Sequence, residues 1–359
     1  MSGIVSGEVP AGPTLDIDHV AQVVGGVLMR RLGGDGRIEI CDTISGNVNS
    51  IFKIRYQGRF LGVRIASNSY RFRYEKTIIK EVFAILLIYH NSLGGSDAVA
   101  GGIIDSILRA PVGGHVRHAL VRSIVYYDWS LQSLPFPFFI YEWVDGEVLW
   151  NQPSPDQYFH AGRDLARVHR VRFEAFYPDI FAIHRTPLSW RANFEAAFGR
   201  ELAAATPRLP PAVVRRLRAV DISDLRPGPP CLVHNDYSGA NIIAEPGGAR
   251  RIIDWDNWVV ECPELDLVKM KYWSRVGPDR TLTPDKALFA AFVEGYVGGR
   301  GDGTKMDDEL LRAYELLWLM RAYNFESEKR DDQEHRVGGT SWAAVYPGAE
   351  AYETYLREV

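Results

Sequence analysis

Apolar positions from Asp16 to Leu32 recur at helical spacing and stop at Gly33-Gly34, which predicts a leading helix behind fourteen Gly-, Pro- and Ser-rich residues. From Arg37 the period shortens to the alternation of strands: RIEICDTI, the polar turn SGNVNS, IFKIRYQ, a turn at Gly58, then RFLGVRIAS. Three successive antiparallel strands are expected. Helical spacing returns from Glu75 to Tyr89, with Ile78, Ile79, Val82, Phe83, Leu86 and Leu87 on one face. Strand-like stretches follow at Ala119 to Tyr127 and Phe138 to Val144.

Beyond Gly146 the pattern is mainly helical, at Pro155 to Val171, Trp190 to Thr206, Pro211 to Val220, Thr283 to Val297 and Asp307 to Phe325. One β island interrupts it, CLVHNDYSGANIIAEPGGARRIIDWD, read as two short strands joined by Glu245-Pro246-Gly247-Gly248. The expected organisation is α+β and bilobal: a small antiparallel β-rich lobe (1–140), a connector (141–147) and a larger helical lobe (148–359).

With 46% hydrophobic and 24% charged residues, the 359-residue chain has ordinary globular composition. A net charge of −4 gives no electrostatic footprint for nucleic acid or an anionic membrane. Cys41, Cys231 and Cys262 are far apart and odd in number, which suits a reducing compartment. The N-terminus lacks a leader pattern and no apolar run is long enough to span a bilayer, so a cytoplasmic protein is expected, a monomer or weak dimer.

The β island carries the chemistry. His234, Asp236 and Asn241 precede or begin its first strand and Asp254 ends its second, so an antiparallel return brings two carboxylates and an amide oxygen together. These are hard oxygen donors of the kind Mg²⁺ takes when it also holds phosphates. HNDYSGAN (234–241) fits H-x-D-x-x-x-x-N, IIDWD (252–256) fits the I-D-W-x segment, and Leu265-Asp266-Leu267 the D-L that follows it. On these motifs the sequence resembles the aminoglycoside phosphotransferase and choline kinase-like family, of protein-kinase-like fold. LARVH in the helix Gln157 to His169 extends the resemblance, which covers roughly Asp16 to Met270.

The resemblance implies a small-molecule kinase. Asp236 would orient or deprotonate the acceptor hydroxyl, His234 brace the loop, Asn241 and Asp254 hold Mg²⁺, and Asp266 support the loop. Its donor would be ATP or GTP. The turn holding Gly46, Asn47, Asn49 and Ser50 would cradle phosphate, though an ordinary hairpin turn reads equally well there. Arg64 stands where relatives carry a phosphate-binding lysine, with Glu81, or alternatively Glu75, as its helix partner. Backbone atoms of Glu142, Trp143 and Val144 would meet the purine.

For the acceptor, residues 301–359 hold thirteen acidic against seven basic residues, which suits a cation. Asp256, Glu326, Glu328, Asp331 and Asp332, with Asp307 and Asp308, are candidate contacts; Trp318, Tyr323 and Trp342 are candidate walls. The expected activity is phosphorylation of an aminoglycoside-like or other antibiotic, in resistance or self-protection. The alternatives are a metabolic kinase for a sugar, amino alcohol or biosynthetic intermediate, and a kinase-shaped binding protein without turnover.

Overall fold

The computed structural model describes residues 15–45, 49–66, 77–93, 109–177, 186–274, 282, 284–301, 306–330, 336–337, 340–341 and 347–358. Helix α1 (Ile17–Leu32) starts at Asp16, whose carboxylate accepts from the Asp18 and His19 N–H groups, and closes at Gly33, whose positive φ of 79° suits a residue without Cβ. Strands β1 (Glu39–Ser45), β2 (Ser50–Tyr56) and β3 (Arg59–Ile65) follow as the sequence pattern predicts. A two-residue turn joins β2 to β3, with Gln57 at φ 48° and Gly58 at φ 76°, the left-handed pair that fits strand twist.

With β4 (Val112–Gly113), β5 (Ile124–Asp128) and β6 (Phe138–Glu142), these strands form one antiparallel sheet in the order β1-β2-β3-β6-β5-β4. Alternation along β3 sends Leu61, Val63 and Ile65 into a core with Val20, Val24, Val27 and Leu28 of α1. Gly62 and Arg64 take the opposite face. Gly62 has to be glycine because a Cβ there would lie 2.1 Å from the Tyr141 ring. On that face packs α2 (Thr77–Ser92), burying Ile78, Val82, Phe83, Ile85 and Leu86.

The strand expected over Ala119 to Tyr127 forms only from Ile124. Its first half leaves the sheet to stitch the lobes together: Leu120 O accepts from Ile252 N–H, and Val121 bridges Ile252 in parallel. After residues 143–146 the chain forms β7 (Glu147–Val148), which pairs with β9 (Ile242–Ala244) and through it β10 (Arg250–Ile252). The β island is therefore subdivided. Its first apolar segment, β8 (Cys231–Val233), lies outside the hairpin and pairs instead with β11 (Val259–Glu261).

Helices α3 (Pro155–Val168), α4 (Trp190–Ala205), α5 (Pro211–Arg218), α6 (Glu264–Tyr272), α7 (Lys286–Arg300), α8 (Asp308–Arg330) and α9 (Ala349–Glu358) build the second lobe. α3 and α7 touch backbone to backbone at paired glycines. A Cβ on Gly162 would meet Phe292 O at 2.0 Å, and one on Gly295 would meet Phe159 O at 1.8 Å. α6 and α9 are additions to the sequence pattern. Among the described residues no helix is long and apolar enough to cross a membrane.

Candidate active site

Two short ladders define the site. The chain passes from β8 to β9 through residues 234–241, and back from β10 to β11 through residues 253–258, so the two crossings lie side by side. Ile253 N–H donates to Asn241 O at 2.9 Å and fixes their separation. The first crossing is held from below by α6: Asp266, fully buried, accepts from the backbone N–H of His234 at 2.8 Å and of Asn235 at 2.7 Å. Between these contacts Asn235 adopts φ 63°, and Asp236 follows directly on that left-handed turn.

Buried His234 donates from Nε2 to Ile253 O at 2.9 Å and accepts at Nδ1 from Asp236 N–H at 3.2 Å, a pattern that needs the neutral ring. Burial pushes its pKa down accordingly. His169 closes the back of the loop, between Asp266 at 3.1 Å and Tyr296 OH at 2.9 Å, and burial lowers its pKa too. Asn241 donates its amide N–H to the Asp236 carbonyl and to Oδ2, both at 2.9 Å. Its amide oxygen is thereby turned away from Asp236.

Across the cleft Arg64 collects four polar groups. It pairs with fully buried Glu81, donates to Asp254 from both terminal nitrogens at 3.1 Å, and reaches Asp256 at 3.2 Å. The Asn49 carboxamide, with its oxygen towards Arg64, accepts from Nη2 at 2.6 Å and Nε at 3.1 Å. Burial works against the Arg64 charge, but Glu81, Asp254 and Asp256 more than offset it. Asp254 adopts φ 64°, a left-handed turn that projects it off the end of β10, and Arg64 holds its carboxyl below the usual range against the opposing effect of burial. Burial, and then the neighbouring Asp254, push Asp256 up to about 7, and its Oδ1 is buried without a hydrogen-bond partner among the described residues.

Mg²⁺ fits these residues. The freed Asn241 oxygen, the Asp254 carboxylate and the orphaned Asp256 oxygen are hard donors on adjoining turns. A cation held there would complete its shell with phosphate and water.

The other expected site residues are distributed as follows. Ser50 is buried at the start of β2, while Gly46 and Asn47 lie outside the described residues, as do Glu75, Asp331, Asp332 and Trp342. In the connector, Glu142 N–H donates to Ser123 O and Trp143 N–H to Phe60 O, so two of the three backbone N–H groups are engaged within the sheet. Asp256, an expected acceptor contact, lies 3.2 Å from Arg64. Trp318 and Tyr323, expected as acceptor walls, are buried in a core with residues of α6, α8 and α9, and Trp318 stacks on Tyr272. Glu326 is buried, Glu328 is exposed, and Asp307 caps α8.

Three features escape the sequence pattern. Arg122 reaches the second oxygen of Glu81 at 3.3 Å and lies 4.4 Å over the Tyr141 ring. Trp150 stacks on Trp273 at 5.4 Å and donates its indole N–H to Trp273 O. Lys269 of α6 sets its ammonium on the Asp236 carboxylate. Only Lys269 has a sequence signal, its i,i+3 spacing from Asp266.

The phosphotransferase enzyme family (APH) matches residues 114–326, more than half of the chain. No curated protein matches the sequence. Among solved structures, a candidate aminoglycoside phosphotransferase from Ralstonia eutropha JMP134 superposes with a TM-score of 0.59 at 16% identity, covering 96% of this chain and 98% of that one. Spectinomycin phosphotransferase APH(9)-Ia, in complex with ADP and spectinomycin, gives 0.52 at 14% identity over 94% and 98%. Plasmodium vivax ethanolamine kinase gives 0.50 at 16% over 89% and 82%. At these identities the likeness is one of fold, the protein-kinase-like fold of small-molecule phosphotransferases.

Proposed function

The chain belongs to the phosphotransferase enzyme family, and from that premise we propose that it is an ATP- or GTP-dependent O-phosphotransferase acting on a hydroxyl of a small, cationic natural product, of the aminoglycoside-like or other antibiotic kind. The observation that carries this reading is the arrangement around Asp236: a carboxylate fixed by Asn241, beside a second turn whose Asp254 is tied to Arg64 of the other lobe. Asp236 would accept the hydroxyl proton as the acceptor oxygen bonds to the γ-phosphorus and the bond to the bridging oxygen of the leaving diphosphate breaks. Asn241 and Asp254 would hold Mg²⁺, which when bound neutralises charge on the phosphate oxygens. Arg64, kept by Glu81 and Arg122, would meet the α- or β-phosphate, and Glu142 to Val144 the purine.

Spectinomycin and ethanolamine, the small-molecule partners of two structural neighbours, both fit a compact hydroxylated amine. The ethanolamine kinase neighbour also keeps open a second reading, a metabolic kinase for an amino alcohol. Lobes divided near 141–147 and a cytoplasmic setting are part of the proposal. The test is phosphate transfer from MgATP and MgGTP to aminoglycosides, aminocyclitols, nucleoside antibiotics and amino alcohols, with the product identified by phosphorus NMR. An acceptor-dependent phosphate ester is expected. Phosphate found only on nitrogen or on a carboxylate, or ATP hydrolysis with every acceptor unchanged, would overturn it.

A further inference from the structure

A pair of tryptophans rests on the catalytic loop and takes no part in holding nucleotide or metal. After β7 the chain continues alongside that loop: Leu149 N–H donates to Ile242 O at 3.0 Å and Trp150 N–H to Gly239 O at 3.3 Å. The Trp150 ring lies against Gly239, where a Cβ would overlap it, so only glycine leaves room for the indole. Trp273, which follows α6, stacks on that ring with centroids 5.4 Å and planes 20° apart. Two hydrogen bonds lock the stack in place. Trp150 Nε1–H donates to Trp273 O at 2.9 Å, and the buried Tyr158 hydroxyl of α3 donates to Ser274 O, the next carbonyl along.

The place of the pair separates it from the phosphate chemistry. Arg64, with Glu81 and Asn49, comes from the sheet lobe and meets the second crossing at Asp254 and Asp256. The tryptophans belong to the helical lobe and meet the first crossing at Gly239, three residues beyond Asp236. Three residues span at most about 10 Å of backbone, so a molecule resting on the indoles is within reach of Asp236. Exposure points the same way. Trp255 and Trp258 of the second crossing are buried, as are Trp190 and Trp318, whereas Trp150 and Trp273 are partly exposed. An aromatic surface fixed in position and left partly in water beside a catalytic loop is suited to a ligand ring, because little ordering remains to be done on binding.

We propose that Trp150 and Trp273 form the acceptor platform of this enzyme and select a ring: the apolar face of a saturated, polyhydroxylated sugar or cyclitol lies against the indole pair while one of its ring hydroxyls points to Asp236. This rests on the reading of Asp236 given above. The platform supplies apolar contact and orientation, and the hydroxyl groups on the rim of the ring stay free for solvent and for the loop. An acyclic amino alcohol has no ring to lay on the indoles and gains little from them.

The test is calorimetry on the full chain loaded with the non-hydrolysable analogue MgAMP-PNP. Spectinomycin, hygromycin B, 2-deoxystreptamine and glucose serve as ring probes and ethanolamine as the acyclic one, in the wild type, Trp150→Phe, Trp150→Leu, Trp273→Phe and Trp273→Leu. The wild type is expected to bind at least one ring probe, and to bind it more tightly than ethanolamine. Each leucine variant should weaken that ring probe about tenfold or more, as loss of a packed aromatic surface requires, and each phenylalanine variant should recover most of the loss. Affinity for MgAMP-PNP should stay within about twofold throughout. Trp150 packs on the loop, so should Trp150→Leu not fold, the two Trp273 variants decide. Failure of every ring probe to bind the wild type overturns the proposal, as do leucine variants with wild-type ring affinity or phenylalanine variants no better than leucine. A leucine variant that loses ring probe and MgAMP-PNP alike shows a merely structural role and overturns it too. The underlying reading fails separately: a ring probe bound through the tryptophans but never phosphorylated from MgATP or MgGTP removes the transfer and leaves the platform, whereas a phosphate ester formed with unaltered acceptor KM in the leucine variants removes only the platform.

Discussion

Arg64 on β3 and Asp254 after β10, 190 residues apart in the chain, face each other through two hydrogen bonds of 3.1 Å. This contact joins the sheet lobe to the catalytic hairpin at the point where nucleotide and metal are expected. A cation arriving at Asp254 would share it with Arg64, whose remaining partners Glu81, Asp256 and Asn49 keep the guanidinium in place. Phosphate would then meet a charge already fixed in position.

Arg64 should therefore matter for nucleotide affinity in a way that depends on its fork. Arg64→Ala is expected to raise nucleotide KM at least tenfold and Arg64→Lys less, since lysine keeps the charge but loses the bidentate geometry. The alanine variant also leaves Glu81 buried with Arg122 as its remaining arginine partner. Its stability loss should fall at the lower end of the about 3–5 kcal/mol seen when a buried pair is broken. Steady-state kinetics and urea denaturation check both. Equal and unaltered KM values in the two variants would move the phosphate contact to the turn around Gly46.

Asp236→Ala should reduce transfer by about 10²–10⁴ while nucleotide binding, followed by calorimetry, stays within about threefold. Near-normal turnover would exclude a role as base or aligning group.

What could be read from the sequence divides along physical lines. Asp236, Asn241 and Asp254 share one local hairpin, so spacing alone nearly places them; β3 and α2 follow clear periods, and Arg64 with Glu81 comes with them. Lys269 and Asp256 are different. α6 is buried nearly all round, with Glu264, Asp266 and Leu267 equally enclosed, so it has no apolar stripe to announce it. β8 and β11 are three-residue strands, too short for alternation to register, and their pairing is what separates β8 from the hairpin. Asp256 comes to Arg64 after the left-handed turn at Asp254, a backbone conformation that spacing does not announce. Nor does the sequence announce α9, whose Tyr352 packs edge-on against Trp318 of α8.

Metal binding should depend on Asn241 and Asp254 together. Asn241→Ala and Asp254→Asn are each expected to raise the Mg²⁺ concentration needed for half-maximal activity at least tenfold, and Mn²⁺ relaxation with bound ATP should report the weaker site directly. Because Arg64 holds Asp254 below the ordinary carboxylate range, its charge, and with it metal binding, should persist as pH falls to about 5. Unchanged metal dependence in both variants would refute the assignment.

Glu264 offers a test on stability rather than catalysis. Burial pushes it up to about 7, and its Oε2 lacks a hydrogen-bond partner among the described residues. Between the unfolded value near 4.3 and about 7 the folded chain binds the extra proton, so the protonated side chain favours folding at acid pH and that advantage is lost as pH rises through 7. Glu264→Gln, which stays neutral, should gain on the wild type as pH rises, by on the order of 2 kcal/mol between pH 5 and pH 8.5. Thermal unfolding at the two pH values decides it; a difference independent of pH would show that Glu264 is ionised throughout.

The charge of the acceptor is open to the same kind of reasoning. Residues 301–359 carry an excess of six acidic residues, and Glu328 is exposed on α8, whereas Glu326 is buried beneath it. If that surplus attracts a cationic acceptor, kcat/KM should fall as salt rises, because exposed charges are screened within about 8–10 Å at 0.1–0.15 M ionic strength. Neutralising Asp331 with Asp332, or Glu328 alone, should raise acceptor KM and leave nucleotide KM unaltered. Lys269 pulls the other way close to Asp236: an acceptor amine adjacent to the reacting hydroxyl would meet its ammonium, so a compatible cation carries its charge away from the hydroxyl that is phosphorylated. Deoxy and deamino analogues of a turned-over acceptor separate the two effects. A neutral acceptor with high turnover and no response to salt would remove the cationic half of the proposal, leaving the hydroxyl chemistry at Asp236 to stand on its own test.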